Sequence, residues 1–149
     1  MQLAIAAARR SISKGQSPFA AIIIEKGEVV ADTHNHVRLN TDPTAHAEVM
    51  AIRDACRILR TIDLSGCEMF TTCEPCPMCA SAIHWARLDA VHYGATIADA
   101  AKAGFNELHM PIAALYATGG STVRIVPAVM QRECAALFDD WLNAGGKPY

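Results

Sequence analysis

Two short segments hold the residues best suited to chemistry, His46-Ala47-Glu48 and Pro75-Cys76-Pro77-Met78-Cys79. Together they offer one imidazole and two thiolates, three good zinc ligands, with a carboxylate that makes a poor fourth. A structural zinc site is normally closed by four protein ligands, whereas a catalytic one keeps three and leaves a place for water. The set therefore predicts an open, hydrolytic centre with one zinc per subunit on His46, Cys76 and Cys79. Two thiolates offset the charge of the ion and weaken its pull on water, so a nearby base is required. Glu48, two residues beyond His46, is the candidate. Its expected task is to take a proton from water, pass it to a substrate ring and later protonate the leaving amine.

Either segment alone is weak. A lone His in an apolar helix is most often a core residue, and a lone Cys-x-x-Cys serves redox and structural roles as well. In combination, His-x-Glu followed by Pro-Cys-x-x-Cys is a known signature of zinc deaminases. Cys56, Cys67, Cys73 and Cys134 read as small buried hydrophobes or free thiols. His34 and His36, which flank Asn35 in a polar stretch, read as exposed histidines outside the zinc site.

The elements that must position these groups follow from pattern. Residues 2 to 14 are alanine-rich and read as a helix stopped by Gly15. Phe19 to Glu25 is a nearly continuous apolar run, as expected of a strand covered on both faces, and Lys26-Gly27 turns it into a second strand, Glu28 to Thr33. His34 to Thr44 is polar and reads as a loop. A helix is predicted over 45–60, with Val49, Ile52, Cys56 and Leu59 on its inward face and His46 pointing inward with them.

A strand over 67–72 then delivers the chain to Cys76, where a helix begins. Pro77 suits its first turn, and Cys79, Ile83 and Ala86 continue it to about Leu88. Both thiolates fall on one short arc, beside unpaired N–H groups and a partial positive charge that favour anionic ligands. Strands over 90–94 and 123–127 and helices over 98–104 and 130–143 complete the prediction, the last with Cys134, Leu137, Phe138, Trp141 and Leu142 on one side. The signals over 105–122 are mixed. This order predicts a single α/β domain over 1–149 around one central sheet.

Charge and hydropathy narrow the partners. Thirteen Lys and Arg against fifteen Asp and Glu give a formal charge of -2, with no basic block. A polynucleotide binder usually shows a basic stripe, because neutralised phosphates supply much of its affinity. A small, uncharged substrate fits better, and no nucleic-acid partner is expected. Hydrophobic residues make up 52% of the chain, yet no apolar run approaches the roughly 20 residues needed to cross a bilayer. Neither a basic leader nor a cleavage site precedes Arg9-Arg10, so a cytoplasmic protein without a membrane partner is expected.

At its two motifs the sequence resembles the cytidine and deoxycytidylate deaminase superfamily, and most closely its bacterial guanine deaminase branch. The likeness lies in Asp42-Pro43-Thr44-Ala45-His46-Ala47-Glu48 with Ala51-Ile52-Arg53, and in Thr72-Cys73-Glu74-Pro75-Cys76-Pro77-Met78-Cys79 with Ile83 and Trp85-Ala86-Arg87. It continues in Asp99-Ala100-Ala101-Lys102-Ala103-Gly104-Phe105 and returns at Tyr149, covering most of the chain. The resemblance implies a three-layer α/β/α fold with a mixed five-stranded sheet, zinc on His46, Cys76 and Cys79, and proton transfer by Glu48. It also implies that Asn35 holds a purine and that an acidic residue after Gly104-Phe105 pairs with the donor edge of the base. That residue is Glu107, where the branch has Asp, and Ala20 stands where it has Gly.

The same branch implies a homodimer that exchanges C-terminal segments, here about 130–149, so that Tyr149 closes the neighbouring site. Phe19, Trp85, Phe105 and His36 are candidate stacking partners for a base. Guanine presents N1–H and the 2-amino group as adjacent donors, which one carboxylate can accept. Hydrolysis of guanine to xanthine and ammonia is thus the leading expectation, with another aminated ring or a nucleoside as its variants. A tRNA adenosine deaminase shares both motifs but should be more basic, and the segment from Gln131 to Ala144 has one Arg against Glu133, Asp139 and Asp140. A non-catalytic zinc module needs a fourth ligand, for which Cys73 is the nearest choice, and leaves Glu48 unexplained.

Overall fold

The apolar run after Pro18 becomes an inner strand because it can bury both faces. In the computed structural model, which describes residues 1–149, β1 (Ala20–Glu25) has Ala20, Ala21, Ile22 and Ile23 all buried. Lys26 and Gly27 both take positive φ, 51° and 87°, the backbone of a tight hairpin turn whose twist suits the flanking strands. The chain returns antiparallel as β2 (Glu28–His34), an edge strand that buries Ala31 and Thr33 and exposes Asp32 between them. The other side of β1 pairs antiparallel with β3 (Cys67–Cys73), and β4 (Ala90–Ala95) and β5 (Arg124–Val126) add in parallel. The sheet order is β2-β1-β3-β4-β5.

Alternation along β1 builds two cores. Ala21 and Ile23 pack with α3 (Ala47–Leu59), α4 (Pro77–Trp85) and α6 (Ile112–Gly119), while Ala20 and Ile22 pack with α1 (Gln2–Ser13), α5 (Ile97–Lys102) and α7 (Gln131–Asn143). The molecule is therefore a three-layer α/β/α domain on a mixed sheet, as the resemblance implies. No helix is long and apolar enough to cross a membrane.

Several local expectations are corrected. Helix α3 turns Ala47, Glu48, Ala51 and Ala55 inward and leaves Val49, Ile52, Cys56 and Leu59 half-buried. Alanines let the helix axis approach β1 and β2 closely, so the small residues face the sheet and the larger ones flank it. The polar stretch over 34–44 contains a single helical turn, α2 (Val37–Asn40). Over 105–122 the chain forms first a loop and then α6, held to α4 where the Tyr116 hydroxyl donates to the carbonyl of Ala80 at 2.8 Å. Helix α4 ends at Trp85 because Arg87 takes a positive φ of 60°. On α7, Cys134, Leu137, Phe138 and Trp141 are buried, but Leu142 is 42% exposed.

Helix α7 approaches β4 at Gly94, where a Cβ would lie 2.2 Å from Cys134 Sγ and 2.5 Å from its Cβ. Gly94→Ala should therefore lose about 1–3 kcal/mol through overpacking, seen as a lower urea midpoint. Adding Cys134→Ala, which removes the sulfur, should recover part of that loss.

Candidate active site

The two motifs meet because each supplies the start of a helix. His46 is the N-cap of α3 and Cys76 the N-cap of α4, and Cys79 follows in the first turn of α4. The His46 side chain makes no capping bond to α3, so it is available to point between the two helices, and Cys76 turns its thiol toward it. Strand β3 delivers the chain to this point, and Pro77 at the first helical position leaves no orphan donor there. The positive ends of two helices thus face one pair of thiols.

His46 Nδ1 lies 3.5 Å from Cys79 Sγ and 3.7 Å from Cys76 Sγ, and the three donor atoms lie within 4.8 Å of one another. A tetrahedral zinc with Zn–N near 2.05 Å and Zn–S near 2.3 Å separates nitrogen from sulfur by about 3.6 Å. Both nitrogen–sulfur spacings fit a shared zinc. Cys73 is not in this cluster; its thiol turns to the carbonyl of Thr96 at 3.5 Å. With protons in place of metal, Cys76 is drawn down to about 4, chiefly by a hydrogen bond from Cys79 and then by His46, against the effect of burial. Cys79, which holds the shared proton, is pushed well above the ordinary thiol range. Burial works against charge on His46, but its bond to Cys76 and the nearby carboxylates leave its pKa raised.

Glu48 reaches the same spot from the first turn of α3. Its Oε2 accepts from Cys79 Sγ at 3.5 Å, and its Oε1 accepts from the Thr71 hydroxyl at 3.0 Å. Burial raises its pKa, opposed by the charge of His46 and, more weakly, by the Thr71 bond. Thr71, 1% exposed on β3, was not singled out by sequence. Its signal was present: a polar residue fully enclosed in an apolar strand needs a partner.

A cavity of about 320 Å³ opens beside these groups, at the lower end of the range for small-molecule sites. Phe19, Asn35, Glu48, Phe105, Glu107 and Tyr149 all face it. Asn35 is buried on the loop after β2, where its Oδ1 accepts from the N–H of Val37 at 2.9 Å. Burial raises the Glu107 pKa, and the Cys76 thiolate adds to the effect. Phe19 and Phe105 meet edge-on at 4.8 Å, and Phe105 stacks on Trp141 at 4.9 Å, so both rings brace the wall as well as face the cavity.

Tyr149 closes one side. Its ring meets Phe105 edge-on at 5.6 Å, the Arg38 guanidinium lies 5.6 Å over it, and its hydroxyl is 3.4 Å from Ser17 Oγ. Arg38 also donates to the carbonyl of Lys147, and Pro148 lies where a Cβ on Gly104 (φ +95°) would be, 2.8 Å from its Cγ. Burial raises the Tyr149 pKa against its hydrogen bonds to Ser17 and Asn35.

Trp85 is a correction. It is 82% exposed and lies beside Leu115, Tyr116 and Ser121 in a shallow depression elsewhere. The reason is length: Trp85 is the last residue of α4, about 12 Å along the axis from the end that meets the cavity. His36 likewise packs on His34, at 4.5 Å, and does not face the cavity.

An α/β/α sheet with a His-Cys-Cys cluster across two helix starts defines a zinc-dependent deaminase class of site. Residues 1–95 match the cytidine and deoxycytidylate deaminase zinc-binding region, and the chain belongs to that family. It is 52% identical over 90 residues to the guanine deaminase of Bacillus subtilis, covering 60% of this chain and 58% of that protein. It is 44% identical over 95 residues to the tRNA-specific adenosine deaminase of Aquifex aeolicus, covering 64% of this chain and 63% of that one. Thus the matched stretch spans about three-fifths of these curated relatives. The solved guanine deaminase of Nitrosomonas europaea superposes with a TM-score of 0.87 at 26% identity, over 94% of this chain and 81% of that one.

Purified protein should contain about one zinc per chain by elemental analysis, and Cys79→Ala should carry almost none. Removing the ion with a chelator should lower Tm, because metal that binds only the folded state stabilises it.

Proposed function

We propose that the chain is a zinc-dependent aminohydrolase of a free nucleobase, with guanine to xanthine and ammonia as the leading reaction. One observation carries this reading: Glu107 faces the cavity shared by Glu48, His46 and Cys76, and it is a carboxylate not engaged by backbone donors as Glu74 in the same wall is. Guanine fits that pair because its N1–H and 2-amino group can donate to one carboxylate while the ring carbon between them is attacked.

A bound zinc supplies Lewis acidity that makes water a nucleophile near neutral pH. Glu48 takes one proton of the attacking water and delivers it to the ring nitrogen, then takes the proton of the hydroxyl newly formed on the ring carbon and gives it to the amine as it departs. A C–O bond forms, the C–N bond breaks, and ammonia leaves. Thr71 holds Glu48 at one oxygen, keeping the other toward Cys79 and the metal donors. Glu107 holds the amino group in the substrate and faces a carbonyl in the product, which favours release. Phe19 and Phe105 exclude water from the ring faces, and the Asn35 amide complements the ring elsewhere.

Tyr149 supports a free base over a base in RNA. Its phenol, held by Arg38 and Phe105, occupies a side of the mouth through which a sugar-phosphate chain would have to pass. All six cysteines are free thiols, which suits a cytoplasmic protein. We carry the homodimer as part of the same reading; Tyr149 lies at the cavity of its own chain in the single copy described, and exchange of C-terminal segments would put the Tyr149 of one copy at the equivalent place in the other.

Ammonia release should be fastest with guanine among guanine, guanosine, adenine, cytosine, an aminotriazine and an anticodon stem-loop RNA. Fastest release from the RNA would transfer the assignment to tRNA editing. Glu48→Gln should lower kcat by about 10²–10⁴ with zinc retained, and near-normal turnover would remove the proton-transfer role.

Tyr149→Ala should raise KM several-fold if the residue caps the base. Mixed and reassembled with Glu48→Gln, it should recover a normal KM in part of the sites if segments are exchanged. No recovery would mean that each chain closes its own cavity.

A further inference from the structure

Glu74 is the residue of the second motif that neither the metal nor the proton transfer uses. It lies between buried Cys73 and Pro75, and its own N–H donates to the carbonyl of Ala95 at 2.8 Å, so its backbone is fixed at the end of the sheet. Its side chain reaches in two directions. Oε1 accepts from the N–H of Ile112 at 3.1 Å and Oε2 from the N–H of Ile97 at 3.3 Å. Ile112 is the first residue of α6 and Ile97 the first of α5. These donors have no partner inside their own helices, and one carboxylate satisfies both.

The segment that joins those two helices carries Phe105, Asn106, Glu107 and Leu108 to the cavity. Beyond Phe105 its backbone bonds are local, from Glu107 to Phe105 and from Met110 to Leu108. Leu108 and Met110 are 67% and 44% exposed, so packing holds them weakly. The Phe105 ring anchors the start of the segment against Trp141. The position of Glu107 is therefore set by the two ends of the segment: Glu74 ties the far end directly at Ile112, and it holds the near end through α5, whose first residue Ile97 it also binds, to the strand that delivers Cys76.

We propose that Glu74 is a positioning residue: it fixes the segment bearing Glu107 relative to the metal donors and so determines how the donor edge of the ring is held. The inference rests on the nucleobase reading of the cavity. A carboxylate is needed because each oxygen accepts one N–H. In Glu74→Gln the amide NH2 would oppose one of those donors and release one tether, and in Glu74→Asp the side chain is too short to span both.

The test uses the zinc-loaded full chain. Hydrogen exchange in the wild type and Glu74→Gln should show at least about tenfold faster exchange at Ile97, at Ile112 and across 106–111, with 76–85 unchanged. Zinc content should stay the same. The kcat/KM for guanine should fall about tenfold, mostly through KM, and Glu74→Gln combined with Glu107→Gln should be little worse than Glu107→Gln alone. Glu74→Asp should behave like the Gln variant. Unchanged exchange over 106–111, loss of zinc, additive effects in the double variant, or a loss confined to kcat would each overturn the assignment. A wild type inactive on every base would defeat the nucleobase reading instead, while the exchange comparison would still decide whether Glu74 holds the segment.

Discussion

Two helix N-termini brought to one point are the constraint on which the rest of this molecule depends. His46 opens α3 and Cys76 opens α4, so the ends of the helices with unpaired N–H groups face the two sulfurs. Thiolates this close would repel one another without compensation; the imidazole and the helix ends provide part of it, and a bound metal cation would supply the rest. Everything that fixes α3 and α4 against the sheet therefore fixes the metal geometry. The alanine stripe of α3 and the tie between Tyr116 and Ala80 are two such features.

The same packing solves a second problem. Glu48, the proposed proton carrier, is out of bulk water and yet cannot be left without partners, since a buried carboxylate alone is costly. Thr71 and the zinc donors surround it, one from the middle of the sheet and the others from the helix starts. Glu107 meets a milder version of the same environment, half-buried in the middle of a segment whose neighbours 106 and 108–111 are exposed. One carboxylate is held by the core and the other by a loop, so under the proposed reading proton transfer sits on rigid elements and ring recognition on an adjustable one.

The deaminase family contains proteins that act on free bases and proteins that act on tRNA, and the relatives of this chain include both. What separates those tasks physically is access. A free base can be enclosed on all sides, whereas a base in a polynucleotide needs an exit for its backbone. In this chain Tyr149 lines the cavity, and Lys147 and Pro148 before it rest on Arg38 and Gly104.

The clustering of His46, Cys76 and Cys79 with Glu48 beside them was legible in the residues alone, because short-range spacing at helix starts fixes relative direction whatever the remainder of the fold does. The hairpin at Lys26-Gly27 and the doubly buried β1 were legible for the same reason: turn chemistry and apolar runs are local. Tertiary structure decided what depends on distance between elements. It placed Trp85 a helix length from the cavity, turned the alanines of α3 inward ahead of its larger residues, folded part of 105–122 into α6, and paired Thr71 with Glu48 and Glu74 with two helix starts. Those outcomes follow from packing and from satisfying buried donors across residues far apart in the chain, which no local pattern encodes.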